Sequence, residues 1–266
     1  MRKHLCIYTN GSNSSLKTER VLKSKLSNSA CQVLDGIDRN ADIIVCIGGD
    51  GTFLEVLHKY DFPEIPMVGI NTGHLGFFQE IMPDQLDDLI FNLSHDRYSL
   101  QPLSTVRINV ECDSGCHEHI GLNEVCVKGD NSHSVHLNMS IGGSFIERFS
   151  GDGLVVATPA GSTAYNYSLG GSIVDPRLTV LQVTPIAPMN TIAYRSFTSS
   201  VLLPSDLELG LIPDIDTQTE ISIVCDGYTS NYAKVKEMTI GFSDKKVNLV
   251  RFEGYDFWTK VKSKFL

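Results

Sequence analysis

The sequence predicts an α/β N-terminal domain built on a parallel sheet, followed by a β-rich C-terminal domain. Three observations lead there. Short apolar runs alternate with amphipathic stretches over the first hundred residues, the pattern of strand–helix–strand units. Beyond Pro102 the apolar period becomes two, as in Val106, Ile108 and Val110, then Val135, Leu137, Met139 and Ile141. Two glycine-rich turns, Gly48–Thr52 and Asn71–Phe77, fall at the carboxyl ends of predicted strands, the edge at which such sheets bind ligands. A chain of 266 residues can give both domains a real core. The predicted limits are 1–100, 101–252, and a closing helical segment over 253–266 that packs back on the first domain.

The first strand is Leu5–Tyr8, followed by a Thr9–Asn13 loop and a helix over Ser15–Leu26 with Leu22 and Leu26 one turn apart. A second strand covers Cys31–Leu34. Ile43–Ile47 are five apolar residues in a row, which suits a strand buried on both faces. Gly48-Gly49-Asp50-Gly51 then makes a turn, and Thr52-x-x-Glu55 reads as a capping box opening a helix from Phe53 to about His58. Backbone N–H groups and a helix N-terminus attract phosphate, whereas the Asp50 carboxylate repels it. Asp50 therefore points to a hydroxyl or a metal ion beside the phosphate. Met67–Ile70 is the next strand. Pro83 is expected to start an amphipathic helix carrying Leu86, Leu89, Ile90 and Leu93.

In the second half, Asp113-Ser114-Gly115 and Gly142-Gly143 read as hairpin turns. Asn123-Glu124 puts an amide and an acid inside a strand-like run, where at least one faces inward and needs partners. Gly151-Asp152-Gly153 places an acid in a glycine turn before the strand Leu154–Ala157. Pro159-Ala160-Gly161 leads into a helix capped by Ser162 or Thr163 and stopping at Gly170-Gly171. Hydroxyls at that helix start suit anion or nucleotide contacts. Asp226-Gly227 reads as a hairpin signal. Tyr255–Phe265 is a closing helix with Phe257, Trp258, Val261 and Phe265 on one face.

A net charge of −9 argues against a nucleic-acid binder held by phosphate neutralisation. No apolar run is long enough for a membrane span, and Met1–His4 leads into a strand rather than a signal sequence. Seven cysteines, four of them in apolar strand-like runs, are best explained as buried free thiols in a reducing cytoplasm. Cys112, Cys116, His117 and His119 could be read as zinc ligands, but the segment reads better as a polar hairpin turn without a second ligand pair. No dedicated metal cage is expected.

Taken together, Gly48-Gly49-Asp50-Gly51-Thr52, Asn71-x-Gly73-x-Leu75-Gly76-Phe77, Asn123-Glu124, Gly151-Asp152-Gly153 and Thr158-Pro159-Ala160-Gly161-Ser162-Thr163-Ala164-Tyr165 resemble the motifs of bacterial NAD kinases, in the same order and over nearly the whole chain. The first turn also resembles those of diacylglycerol, sphingosine and phosphofructo-kinases. The Asn-Glu pair and the Thr-Pro-x-Gly-Ser-Thr-Ala-Tyr run carry the specificity. The resemblance implies an NAD kinase-like two-domain fold. It implies transfer of the γ-phosphoryl of ATP to the 2′-hydroxyl of the adenosine ribose of NAD, with Mg²⁺ or another divalent cation carried by ATP.

By the same resemblance Asp50 is the base, and Gly48, Gly49, Gly51 and Thr52 cradle phosphates. Asn123 and Glu124 hold the adenosine part of NAD. Thr163, Ala164 and Tyr165 contact adenine, and Asn166 and Ser168 continue that segment. Asp152 lies near the nicotinamide end and Ala187 on the facing wall. A homodimer or homotetramer is implied. The sequence departs from the family at Ser150, often Arg, with Arg148 two residues earlier, and at Tyr228, where the family has Asp-Gly-Gln. Pro185–Asn190 follows the family pattern only in part. The alternatives are a catalytically silent NAD- or NADP-binding sensor, against which Asp50 speaks, and a diacylglycerol-type lipid kinase, against which the charge and Asn123-Glu124 speak.

Overall fold

The computed structural model describes residues 2–27, 29–73, 76–130, 133–192, 195–214 and 220–266. The chain forms two compact units, residues 1–103 with 246–266 and residues 104–245. The elements in chain order are β1 (Lys3–Thr9), α1 (Asn13–Leu26), β2 (Cys31–Leu34), β3 (Ile43–Gly48), α2 (Asp50–Lys59), β4 (Met67–Asn71), β5 (Gln79–Ile81) and α3 (Leu86–Ser94). Then follow β6 (Ser99–Cys112), β7 (Gly115–Gly121), β8 (Glu124–Gly129), β9 (Val135–Ile141), β10 (Ser144–Gly151), β11 (Gly153–Ala157), a 3₁₀ turn (Ala160–Thr163) and α4 (Tyr165–Ser168). The remainder is β12 (Val180–Ile186), β13 (Val201–Pro204), β14 (Leu209–Pro213), β15 (Ile221–Cys225), β16 (Tyr228–Tyr232), β17 (Val235–Arg251) and α5 (Phe257–Phe265).

In the first unit β2, β1, β3 and β4 lie side by side, every pair parallel, and β5 and the end of β17 join β4 in the same sense. β3 is buried along its whole length, as its unbroken apolar run requires. Leu22 and Leu26 of α1 and Leu86, Leu89 and Leu93 of α3 pack on Ile43, Val45 and Ile47 in one core. The order β2-β1-β3-β4 reverses direction at β1 and β3. The loops leaving these two strands, Asn10–Ser12 and the Gly48–Asp50 turn, therefore stand at a topological switch point.

The second unit is β-rich. One sheet has the order β13-β12-β11-β8-β15-β16 and is antiparallel throughout. Its alternation sends Val125 and Val127 of β8 into a large core with Val106, Ile108, Leu137, Met139 and Leu211. Glu124, Cys126 and Lys128 take the other face, where Cys126 packs with Val155, Ala157 and Leu169. The predicted hairpins form at Ser114 and at Gly142-Gly143.

Four local expectations are corrected. Thr52 caps nothing: α2 starts two residues earlier, at Asp50, with Gly49 as its N-cap and no side-chain cap. Pro83 lies in a turn before α3, whose N-cap is Gln85; the Gln85 side chain instead accepts the Met82 N–H. Ser162 and Thr163 sit inside the 3₁₀ turn, and Ala164 is the N-cap of α4. The closing helix begins at Phe257, with Asp256 as its N-cap, and Trp258 is half exposed while Phe257 and Val261 are buried.

Candidate active site

In the first unit the site residues are placed by the β3-to-α2 turn. Because α2 starts at Asp50, the acid belongs to the first turn of the helix, and Gly48, Gly49, Gly51 and Thr52 surround it in the backbone. Thr52 is buried against Gly48, and its N–H donates to the Gly49 carbonyl at 3.0 Å. The Asp50 carboxylate is fixed from outside the helix. The Phe77 N–H donates to Oδ2 and the Phe78 N–H to Oδ1, each at 3.0 Å. Each oxygen keeps a further lone pair. The Lys264 ammonium lies 3.8 Å from Oδ2, and the Asp50 side chain remains about a quarter exposed. Gly76 must be glycine, because a Cβ there would overlap both the Asp50 carboxylate and the Gln79 amide. His74 and Leu75 of the second glycine cluster lie outside the described residues.

In the second unit a different group is assembled. Asn123 and Glu124 are both largely buried at the start of β8, so neither is a solvated edge residue. The Thr158 hydroxyl donates to the Leu122 carbonyl at 2.6 Å and the Thr158 N–H to the Asn123 carbonyl at 2.9 Å. This draws the 158–168 segment over β8. Gly161 then approaches the Asn123 backbone so closely that a Cβ would overlap the Asn123 carbonyl. Ser162 ties the turn to Val174, whose N–H donates to Oγ at 2.9 Å. Asn166 is fully buried, and the Thr184 hydroxyl donates to its Oδ1 at 2.6 Å.

Three buried polar atoms of this group lack a hydrogen-bond partner: Asn123 Oδ1, Glu124 Oε2 and Asn166 Nδ2. An orphaned buried polar atom costs roughly 1–3 kcal/mol, so each of the three is held in place at the expense of stability. Burial pushes the Glu124 carboxyl up to about 8; the Asp226 charge adds to the rise and the Tyr165 N–H opposes it.

Two residues missed by sequence reasoning complete the picture. Asp226, read only as a hairpin acid, does occupy the β15–β16 turn. Its carboxylate also receives the Leu122 and Asn123 N–H groups, both at 2.7 Å, and the Glu124 N–H at 3.3 Å. It sets the backbone that presents Asn123 and Glu124. Lys128, on the Glu124 face of β8, lies 4.8 Å over the Tyr165 ring and donates to the Tyr165 hydroxyl at 3.2 Å. Alternation along β8 was the available signal for Lys128; none existed for Asp226, whose partners are a hundred residues away.

Asp152 and Ala187 meet beside Lys128. The Asp152 N–H donates to the Ile186 carbonyl at 3.0 Å, and Gly153 pairs with both Lys128 and Ile186. Ala187 is exposed with φ 44°, a strained value for a residue with a Cβ. Thr163 is buried, and its hydroxyl donates to the Ala160 carbonyl. Ala164 donates its N–H to Gly161, and Ser168 is exposed at the end of α4. Ser150 is fully buried, so no side chain there reaches outward; Arg148 instead pairs with Asp214.

Two family models match the chain: the ATP-NAD kinase N-terminal domain over residues 6–98 and the ATP-NAD kinase C-terminal domain over residues 122–252. The chain belongs to the NAD kinase family. The NAD kinase of Finegoldia magna is 40% identical, the match covering 99% of this chain and 98% of that protein. The NAD kinase of Staphylococcus carnosus is 35% identical over 85% of this chain and 84% of its own length. The fold matches that of yeast NADH kinase complexed with NADH, with TM-score 0.85 at 20% identity, covering 98% of this chain and 86% of that one. It also matches an Archaeoglobus fulgidus NAD kinase in complex with ATP, with TM-score 0.74 at 23% identity and 98% of each chain covered. The NAD kinase two-domain fold, an α/β N-terminal domain with a β-rich C-terminal domain, is thereby shown.

Proposed function

We propose that this NAD kinase transfers the γ-phosphoryl of ATP to the 2′-hydroxyl of the adenosine ribose of NAD, giving NADP. The observation that carries the reading is the trio of unpartnered buried atoms at Asn123, Glu124 and Asn166. An acceptor amide oxygen, a carboxyl and a donor amide are the set that ribose hydroxyls and an adenine edge would satisfy. Tyr165 offers a ring for stacking. From Glu124 to Lys128, Asp152 and Ala187 the face of β8 extends four residues, about 13 Å, a length that accommodates an extended dinucleotide running toward its nicotinamide end. Lys128 supplies a cation along that row, where a pyrophosphate would pass.

In the first unit Asp50 takes the base role. A ribose hydroxyl is a poor nucleophile and must lose its proton to a positioned carboxylate. The Phe77 and Phe78 N–H groups hold Asp50 in one orientation while each oxygen retains a lone pair. Gly48, Gly49, Gly51 and Thr52 offer a helix N-terminus to phosphate oxygens. Among the described residues no three His, Cys, Asp or Glu side chains are grouped to hold a metal. A divalent cation such as Mg²⁺ would arrive on the triphosphate, where it would offset negative charge.

Among the described residues no helix is long and apolar enough to cross a membrane. All seven cysteines are free and six are buried, which favours a reducing compartment such as the cytoplasm. Phe145 and Ile146, exposed on β10, are surface that a homodimer or homotetramer would cover.

The deciding assay is NADP formation from NAD, ATP and Mg²⁺ by the protein and by its Asp50→Asn variant. Turnover by the wild type and a loss of about 10²-fold or more in the variant are expected. A wild type that binds NAD without making NADP would overturn the kinase reading in favour of a sensor.

A further inference from the structure

The groups that hold Asp50 are themselves held by the closing helix. The Phe77 and Phe78 N–H groups belong to a short segment before β5 whose carbonyls point the other way. Lys260 of α5 donates from Nζ to the Phe77 carbonyl at 3.4 Å and, more closely, to the Gln79 carbonyl. Arg251, at the end of β17, donates from Nη2 to the same Phe77 carbonyl at 3.3 Å. Arg251 is anchored in turn by a buried ion pair with Glu80 at 2.9 Å, by Gln101 at 2.8 Å and by the face of Tyr255, 3.7 Å from the ring centroid. Phe77 also packs against Phe257 and Phe265 of α5. The Phe77–Phe78 peptide unit is thus gripped at its carbonyl by Lys260 and Arg251 and delivers the Phe78 N–H to Asp50 on its other side, with the Gln79 carbonyl held further along.

We infer that Lys260 is a positioning residue for Asp50: its ammonium holds the Phe77 carbonyl, whose peptide unit carries the Phe78 N–H, and so aims that N–H at the carboxylate. This rests on the kinase reading only for its effect on turnover; the brace itself is a property of the first unit. Among the described residues the Phe77 and Phe78 N–H groups orient Asp50, and the second belongs to the unit whose carbonyl is gripped. A peptide unit that rotates when its carbonyl is released carries its N–H away with it, because the unit is planar.

The brace also responds to pH. Lys260 is largely buried. Desolvation, then the Arg251 charge, push its ammonium down to about 8, against the opposing influence of Glu80 and Asp50. These three, with the Tyr255 ring at 5.1 Å, are the groups that face it from β17, β5, α2 and the loop before α5; Lys264 lies one turn along its own helix. As pH rises through 8, Lys260 loses its charge, and its hydrogen bonds to the two carbonyls weaken from charge-assisted to neutral ones. Arginine at the same place would keep its charge at any pH the protein tolerates.

The test uses the full-length protein with Lys260→Met and Lys260→Arg. Amide hydrogen exchange at Phe78 at pH 7, read by NMR, should be about tenfold faster in Lys260→Met and close to wild type in Lys260→Arg. In the NAD kinase assay kcat should fall about tenfold in Lys260→Met, with KM for NAD changing far less. The wild-type kcat should decline above pH 8 while that of Lys260→Arg does not. Unchanged exchange in a folded Lys260→Met protein would overturn the inference. If Lys260→Met does not fold, the decision passes to exchange in the wild type and Lys260→Arg between pH 7 and 9.5, corrected for intrinsic rates. A wild-type rise above pH 8 that Lys260→Arg lacks supports the brace, and superposed profiles sink it. A wild type that makes no NADP would fail the kinase reading instead, and the exchange arm would still decide the brace.

Discussion

Glu124 is held in place at a cost in stability that depends on pH. Its carboxyl titrates near 8 when folded against 4.5 as the reference value, chiefly because it is buried. Below about pH 4.5 the carboxyl is protonated in both states and contributes no penalty. Between 4.5 and 8 the folded protein binds the extra proton, so stability falls as pH rises, and above 8 the full cost is present. Glu124→Gln removes the titration. The variant should therefore match the wild type near pH 5 and exceed it at pH 9 by roughly 2–5 kcal/mol, the full shift at 1.4 kcal/mol per unit setting the upper bound. Urea unfolding at the two pH values checks this, and NADP formation should be lost in the same variant. Glu124 was legible in the sequence because an acid beside an apolar strand must find partners. Asp226, which orders the backbone around it, was not: a hairpin acid in a local window has no visible reason to reach Leu122. Lys128 was hidden for a similar reason, since a lysine in a strand is ordinarily a solvated one.

At the scale of elements, the sequence showed where strands and turns lie better than how helices begin. The unbroken run of β3 and the alternation of β9 fixed their faces, and both are observed. The Thr52-x-x-Glu55 pattern pointed to the wrong start because glycine can leave a strand directly into a helix, which brings Asp50 into the first turn. That shift matters chemically: the acid stands on a rigid element rather than in a loose loop. The Pro159–Ser168 segment gave the residues but not the shape, since a 3₁₀ turn and a short helix share one composition. Its seat on β8 depends on Gly161. Gly161→Ala would drive a Cβ into the Asn123 backbone, and overpacking of this sort costs about 1–3 kcal/mol. The expected outcome is a lowered urea midpoint together with a KM for NAD raised about tenfold or more, measured side by side. A wild-type KM in that variant would show that the contact is dispensable.

For the molecule as a whole, ligand linkage separates catalysis from binding. A ligand present at a hundred times its Kd stabilises the native state by about 2.7 kcal/mol, a Tm rise of roughly 5–11 °C for a domain of 150–250 residues. NAD should produce such a rise in the wild type and in Asp50→Asn alike, because the role proposed for Asp50 is proton removal rather than binding. At the same NAD concentration the rise should be at most about half as large in Gly161→Ala, as a tenfold weaker Kd requires. Thermal melts with and without NAD test both statements. The division into two units was visible in the change of apolar period near Pro102. The run of residues 246–266 in the first unit was only partly so, because β17 is a single unbroken strand across that boundary.

That discontinuity has a temporal side. On the ribosome, residues 1–103 emerge first, and the whole of 104–245 must be synthesised before the segment that contains Arg251 and Lys260. At 5–20 residues per second that is a delay of roughly ten seconds. During it the Gly48–Thr52 turn exists without the side chains that fix Phe77 and Phe78 against its acid. A nascent chain therefore holds Asp50 unbraced until β17 and α5 have been made.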